Sequence, residues 1–160
     1  MAENEIKFNY LVFEQPNELT DSDRLLLEAG TKALAKSYAP YSNFKVGAAA
    51  LLENGEMVTA GNQENASYPA GICAESAALM AASSFFPGTA VTAIAITAKA
   101  QSKILNHPIA PCGICRQRML EWETHFNRPI ALILMGETGK VYKINSIKDM
   151  LPLHFSSQDL

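Results

Sequence analysis

The stretch Pro111 Cys112 Gly113 Ile114 Cys115 and its upstream counterpart Gly71 Ile72 Cys73 Ala74 Glu75 restrict this chain more than any other feature. They hold the only three cysteines it has. Two thiols one helical turn apart and a third from a distant segment can supply three thiolates to a tetrahedral metal. No fourth cysteine exists to close the site. Structural zinc sites are closed by four protein ligands, whereas catalytic ones keep a position for water or substrate. Glu75, two residues from Cys73, is placed to exchange protons with such a water without being a ligand. Thiolate ligands select zinc, or another divalent metal that tolerates soft donors. The bland alternative is a set of buried apolar thiols, since free cysteine is among the most buried residue types.

The chain has 160 residues, 48% of them hydrophobic and 18% charged, which fits one globular domain with one core. Met1 to Lys7 is polar and charged, with no apolar run behind it suited to export, and no stretch is long enough to cross a membrane. A cytoplasmic protein with no membrane partner is expected. Without an export signal, three cysteines argue for metal or redox chemistry over a disulfide framework. The formal charge of −3 and the absence of a basic run disfavour a nucleic-acid partner and favour a small substrate.

In chain order, residues 5–13 alternate in part and predict an edge strand. Thr20 to Asp23 forms an acidic cap before Leu25, Leu26, Ala29, Ala33 and Leu34, predicting a helix to about Ser37. The aromatic loop Tyr38 to Phe44 leads into Val46 to Leu52, and Asn54 Gly55 returns the chain as a hairpin strand, 56–60. A polar loop then delivers Cys73 at the start of an alanine-rich helix that Pro87 Gly88 stops. Val91 to Ala98 predicts a strand, Cys112 to about Glu123 a helix, and Ile130 to Met135 and Val141 to Ile144 two strands. Ser146 caps a short last helix. This order predicts an α/β protein: a three-layer α/β/α sandwich around one mixed β-sheet, with residues 1–20 an N-terminal extension and 21–160 a single domain. Each cysteine cluster opens a helix, where free N–H groups and the helix dipole favour thiolate.

These residues carry a resemblance to the small homotetrameric zinc-dependent cytidine deaminases. It runs from about Leu25 to Leu160 through five segments in order: Tyr38 to Ala48, Gly61 to Tyr68, Gly71 to Glu75, Pro111 to Gln117, and Leu151 to Phe155 with Asp159 Leu160. The CxE and PCxxC elements are those of zinc deaminases, in which a non-ligand Glu is the general acid/base. The resemblance implies hydrolytic deamination of free cytidine or deoxycytidine in pyrimidine salvage. One Zn²⁺ per chain would sit on Cys73, Cys112 and Cys115, with Glu75 as the proton carrier. It further implies that Asn62 and Glu64 bind the ribose hydroxyls, that the backbone of Ala74 contacts the base, and that Phe44 packs on the ligand. Phe155 would reach a neighbouring subunit's base, so the partners expected are a nucleoside and further copies of the chain in a tetramer.

The family usually has an arginine after the glutamate, where this chain has Ser76. Arg118, one turn after Cys115, is the candidate charge partner for the thiolates in its place. Two other readings stay open: a related aminohydrolase with a different amino-heterocycle, of the blasticidin-S type, and a non-catalytic zinc-binding or redox domain. Deamination of single-stranded nucleic acid is disfavoured by charge. His107, His125 and His154 have no ligand spacing.

Overall fold

The computed structural model describes residues 1–160. Its centre is one six-stranded sheet of β1 (Leu11–Phe13), β2 (Phe44–Leu52), β3 (Met57–Gly61), β4 (Val91–Ala100), β5 (Ala131–Met135) and β6 (Val141–Ile144), in the order β1-β6-β5-β4-β2-β3. Only β4 and β5 run parallel, joined by a crossover through a helix. The other neighbours are antiparallel, so the sheet is mixed, as expected. None of the helices is long and apolar enough to cross a membrane.

The alternation of β2 and β4 sends side chains to two separate cores, and this makes the sandwich three layers deep. On one face, helix α1 (Asp21–Ala33) lays Leu26 and Leu27 against Ala49, Ala93, Ala95 and Ile133. On the other, α2 (Ala74–Phe85) and α3 (Gly113–His125) bury Ala78, Leu79, Ala82, Met119 and Leu120 on Ala48, Ala50, Ile94, Ile96, Leu132 and Leu134. Each large side chain removed from water this way contributes about 1.5–3 kcal/mol. The small residues facing α1 let the backbones approach closely. A Cβ on Gly47 would lie 2.2 Å from the carbonyl oxygen of Gly30 on α1.

Local signals set the ends of these elements. Thr20 Oγ1 accepts from the amide of Asp23 at 3.2 Å and caps α1, with Asp21 and Asp23 in the first turn and Lys32 in the last, as the helix dipole favours. The hairpin turn is held by Asn54 Oδ1, which accepts from the amide of Glu56, and by Gly55 at φ +88°. The predicted strand 5–13 is shorter in the molecule. Only Leu11–Phe13 pairs, with Val141–Lys143 of β6, and β6 ends one residue further on at Ile144, so residues 5–9 have no ladder beside them. Tyr10 instead rests its ring on Tyr142, centroids 5.0 Å apart.

Candidate active site

The two cysteine-bearing segments lead into the helices of the α2/α3 face. Cys73 is the N-cap of α2 and Cys112 the N-cap of α3, both in extended backbone conformation and neither capping through its side chain. Cys115 lies at the end of the first three residues of α3, which turns its thiol back toward Cys112. Parallel placement of β4 beside β5 brings the start of α3 next to the start of α2. The three sulfurs thereby lie within 4.8 Å of one another, and no His, Asp or Glu joins the cluster. Tetrahedral zinc with Zn–S near ~2.3 Å needs sulfurs about 3.8 Å apart, so this all-thiol donor set fits zinc with a small contraction. The cluster is open on one side, with Cys112 exposed, Cys73 half-buried and Cys115 buried.

Charge within the cluster is uneven. The Cys73 thiol is pulled down to about 6, chiefly by the hydrogen bond from Cys115 and less by Cys112 and the positive charge of Arg118. Burial and the Glu75 carboxylate oppose that fall. Cys115, which gives the hydrogen bond, is pushed up by it and by burial, and Ser76 pulls it back. Glu75 is 5% exposed. Burial raises its carboxyl above the ordinary range, against its own backbone amide and the Cys115 thiol. A carboxyl whose charged form is disfavoured by burial holds its proton more readily than an ordinary one, which suits a general acid/base.

The cluster forms the end of a cavity of about 610 Å³ lined by, among others, Phe44, Asn62, Glu64, Cys73, Glu75 and Cys112. Asn62 and Glu64 face the same way because they flank Gln63, whose backbone bridges both Tyr38 and Ile72 in extended conformation. Asn62 is fixed by the backbone of β2: its Oδ1 accepts from the Val46 amide at 2.9 Å, and its Nδ2 donates to the Phe44 carbonyl at 3.0 Å. One amide hydrogen and one lone pair remain for a ligand. The Glu64 carboxylate is held below the usual range by the Ser42 hydroxyl, then by the amides of Tyr41 at 2.9 Å and Ser42 at 3.2 Å.

Of the residues singled out from sequence, Cys73, Cys112, Cys115, Glu75, Asn62, Glu64 and Phe44 therefore converge on one cavity. Ala74 is fully buried beside it as the first residue of α2. Phe155 stands apart, 60% exposed, with its carbonyl accepting from Gln117 Nε2 at 2.9 Å. Arg118 is exposed and reaches the cluster by charge alone. Two contributors had no role assigned from sequence. Ser42 fastens Glu64, and Ser76, read as a lost arginine, points its hydroxyl at Cys115 with Oγ and Sγ 3.5 Å apart.

Comparison with known proteins places the chain among deaminases. The family model for the cytidine and deoxycytidylate deaminase zinc-binding region matches residues 20–126. A cytidine deaminase of Halalkalibacterium halodurans is 34% identical over 138 residues, 86% of this chain and 96% of the relative. One from Mycobacterium tuberculosis is 41% identical over 91 residues, 57% of this chain and 64% of the relative. The crystal structure of a cytidine deaminase from Burkholderia pseudomallei superposes with a TM-score of 0.72 at 40% identity, covering 86% of this chain and 100% of that one.

Proposed function

The chain belongs to the cytidine and deoxycytidylate deaminase zinc-binding family, and on that premise we propose that it hydrolyses free cytidine and deoxycytidine to the uridine counterparts and ammonia. The observation that carries this reading is the convergence of three thiols, one buried non-ligand glutamate and the Asn62–Glu64 pair on a single cavity. Cys73, Cys112 and Cys115 would hold the zinc. Bound there, it supplies a Lewis acid that brings the pKa of water near neutrality.

The chain's own residues do the rest. Glu75 takes the proton of the attacking water, passes it to N3 of the pyrimidine as C4 becomes tetrahedral, and assists the departure of the C4 amino group as ammonia. Its burial suits the task, because a carboxyl raised above the ordinary range is a better proton acceptor than an exposed one and can still return the proton. Glu64, kept ionised, accepts from ribose hydroxyls, and Asn62 uses its remaining donor and acceptor beside it. Phe44 offers an apolar wall, and the backbone of Ala74 a contact to the base. A role in pyrimidine salvage in the cytoplasm follows from free nucleosides as substrates.

A homotetramer accords with the open mouth of the cavity, where Tyr68 is 79% and Ile114 63% exposed, and with the exposed ring of Phe155, which is free to serve a neighbouring subunit. Arg118 acts as a charge partner of the thiolates, since its charge favours the Cys73 thiolate.

The test is loss of the cytidine absorbance on mixing with the zinc-loaded protein. Glu75→Gln should turn over ~10²-fold or more slowly, with one zinc per chain retained. In the same series Arg118→Ala should lose more activity than Arg128→Ala. Full activity of Glu75→Gln, or no turnover of either nucleoside by zinc-loaded wild type, would refute the proposal.

A further inference from the structure

Ser76 lies in the first turn of α2 and is wholly buried. Helical serines and threonines commonly return their hydroxyl to the carbonyl one turn back. Two others in this chain do so: Thr31 Oγ1 donates to the Leu27 carbonyl at 2.9 Å, and Ser84 Oγ to that of Met80 at 3.0 Å. Ser76 instead crosses to the neighbouring helix, and its only partner is the sulfur of Cys115, 3.5 Å away. Cys115 is itself 0% exposed, so no solvent reaches this sulfur from outside.

With Cys115 as a thiolate the hydroxyl can only donate, because a thiolate has no hydrogen to give. Of the other non-cysteine side chains, only the Glu75 carboxylate bonds one of these sulfurs, accepting from the Cys115 thiol, and an ionised carboxylate has no hydrogen to give once that sulfur is a thiolate. Arg116, next in sequence to Cys115, is turned away: its Nε donates to the Pro111 carbonyl and its Nη1 to that of Met150, both at 2.9 Å. Arg118 is exposed. Three thiolates on a divalent ion leave a net negative centre, and hydrogen bonds to ligand sulfur draw off part of that charge. In this chain the direct share falls to one neutral hydroxyl.

We propose that Ser76 is a positioning residue for the metal centre, donating its hydroxyl hydrogen to the Cys115 thiolate and so lowering that sulfur's electron donation to the metal. The proposal rests on the metal reading above and is independent of which nucleoside is the substrate. Its footprint is electronic. Without the hydroxyl, the sulfur lone pairs rise in energy and their charge transfer to a bound metal needs less energy.

The experiment replaces zinc by Co²⁺ and records the thiolate-to-cobalt charge-transfer band, with zinc affinity measured by chelator competition. Ser76→Ala, which removes one oxygen from an alanine-rich helix, should move the band to longer wavelength and weaken zinc binding about 10- to 100-fold. Ser76→Thr, which keeps the hydroxyl, should return the band toward wild type. Ser84→Ala, on the same helix with its hydroxyl on a carbonyl, should leave the band in place. An unmoved band and unchanged zinc affinity in Ser76→Ala would overturn the role of Ser76. A wild-type protein that shows no thiolate-to-cobalt band would overturn the metal reading beneath it.

Discussion

Replacing Glu123 by alanine should unfasten the helix that carries two of the three thiols. Glu123 lies near the end of α3 and is 3% exposed, so its carboxylate is an internal connector and not a surface charge. One oxygen accepts from the amides of Ile130 at 2.8 Å and Ile147 at 3.0 Å, and the other from Ser146 Oγ at 2.5 Å. The three donors belong to the start of β5 and to the turn after β6. Alanine would leave two buried amides without a partner at about 1–3 kcal/mol each. With the space left by the side chain added, the loss is about 4 kcal/mol. For a chain of this size that lowers Tm by about 8–16 °C.

Glutamine separates geometry from charge. Its carbonyl oxygen can take both amides while its NH₂ donates to Ser146 Oγ, which already accepts from the Lys148 amide at 3.2 Å and has a second lone pair. Glu123→Gln should therefore cost only about 1–2 kcal/mol, the difference between charged and neutral hydrogen bonds. Urea denaturation of the metal-free protein, followed by circular dichroism at fixed pH, reads both values. A Glu123→Ala variant within about 1 kcal/mol of wild type would refute the reasoning. So would a Glu123→Gln variant as unstable as the alanine one, since it would mean that the charge, and not the shared acceptor, holds the three segments.

Gly47→Ala should be strongly destabilising, by about 3 kcal/mol or more, because the added Cβ meets backbone atoms of Gly30 at 2.2 Å and Leu34 at 2.8 Å. Gly113→Ala, where a Cβ meets nothing within 4 Å, should melt at or above the wild-type temperature, and equal losses in the two would disprove the close approach. In metal-free protein, stability should rise with pH from about 6 toward the ordinary thiol range, because Cys73 ionises earlier folded than unfolded and the unfolded chain then binds more protons. Glu75 acts in the opposite sense: its raised carboxyl keeps a proton that the unfolded chain has released, so its contribution falls as pH rises above the ordinary carboxylate range. Thermal melts across pH check both, with Cys73→Ser removing the rise and Glu75→Gln removing the earlier fall.

The convergence of the candidate site residues was legible from sequence because much of its geometry is local. CxxC spans one turn, CxE sets Glu75 beside Cys73, and Asn62 and Glu64 share a side of an extended segment. The layered fold followed from alternation in β2 and β4 and from caps such as Thr20. What stayed hidden depends on partners far along the chain. Glu123 reads as an ordinary solvated helix charge until Ile130, Ser146 and Ile147 fold over it. Ser76 reads as a missing cation until α3 places Cys115 opposite its hydroxyl. The strand predicted over residues 5–13 has the right pattern, but its length is set by β6, and nothing near its own residues announces that limit.

The order of the strands gives the metal site a second meaning, in the assembly of the chain. Cys73 follows β3, Cys112 follows β4, and β4 separates the hairpin half of the sheet from β5 and β6. In the folded chain the thiols meet across β4, which pairs with β2 on one side and β5 on the other, with α2 packed over β2 and β3 and α3 strung between β4 and β5. The approach of Cys73 to Cys112 therefore depends on the register of β4, and a chain with β4 out of register lacks the site. Zinc taken up by a newly made chain would then report a completed sheet, and its binding free energy would favour the correctly paired chain over every mispaired one.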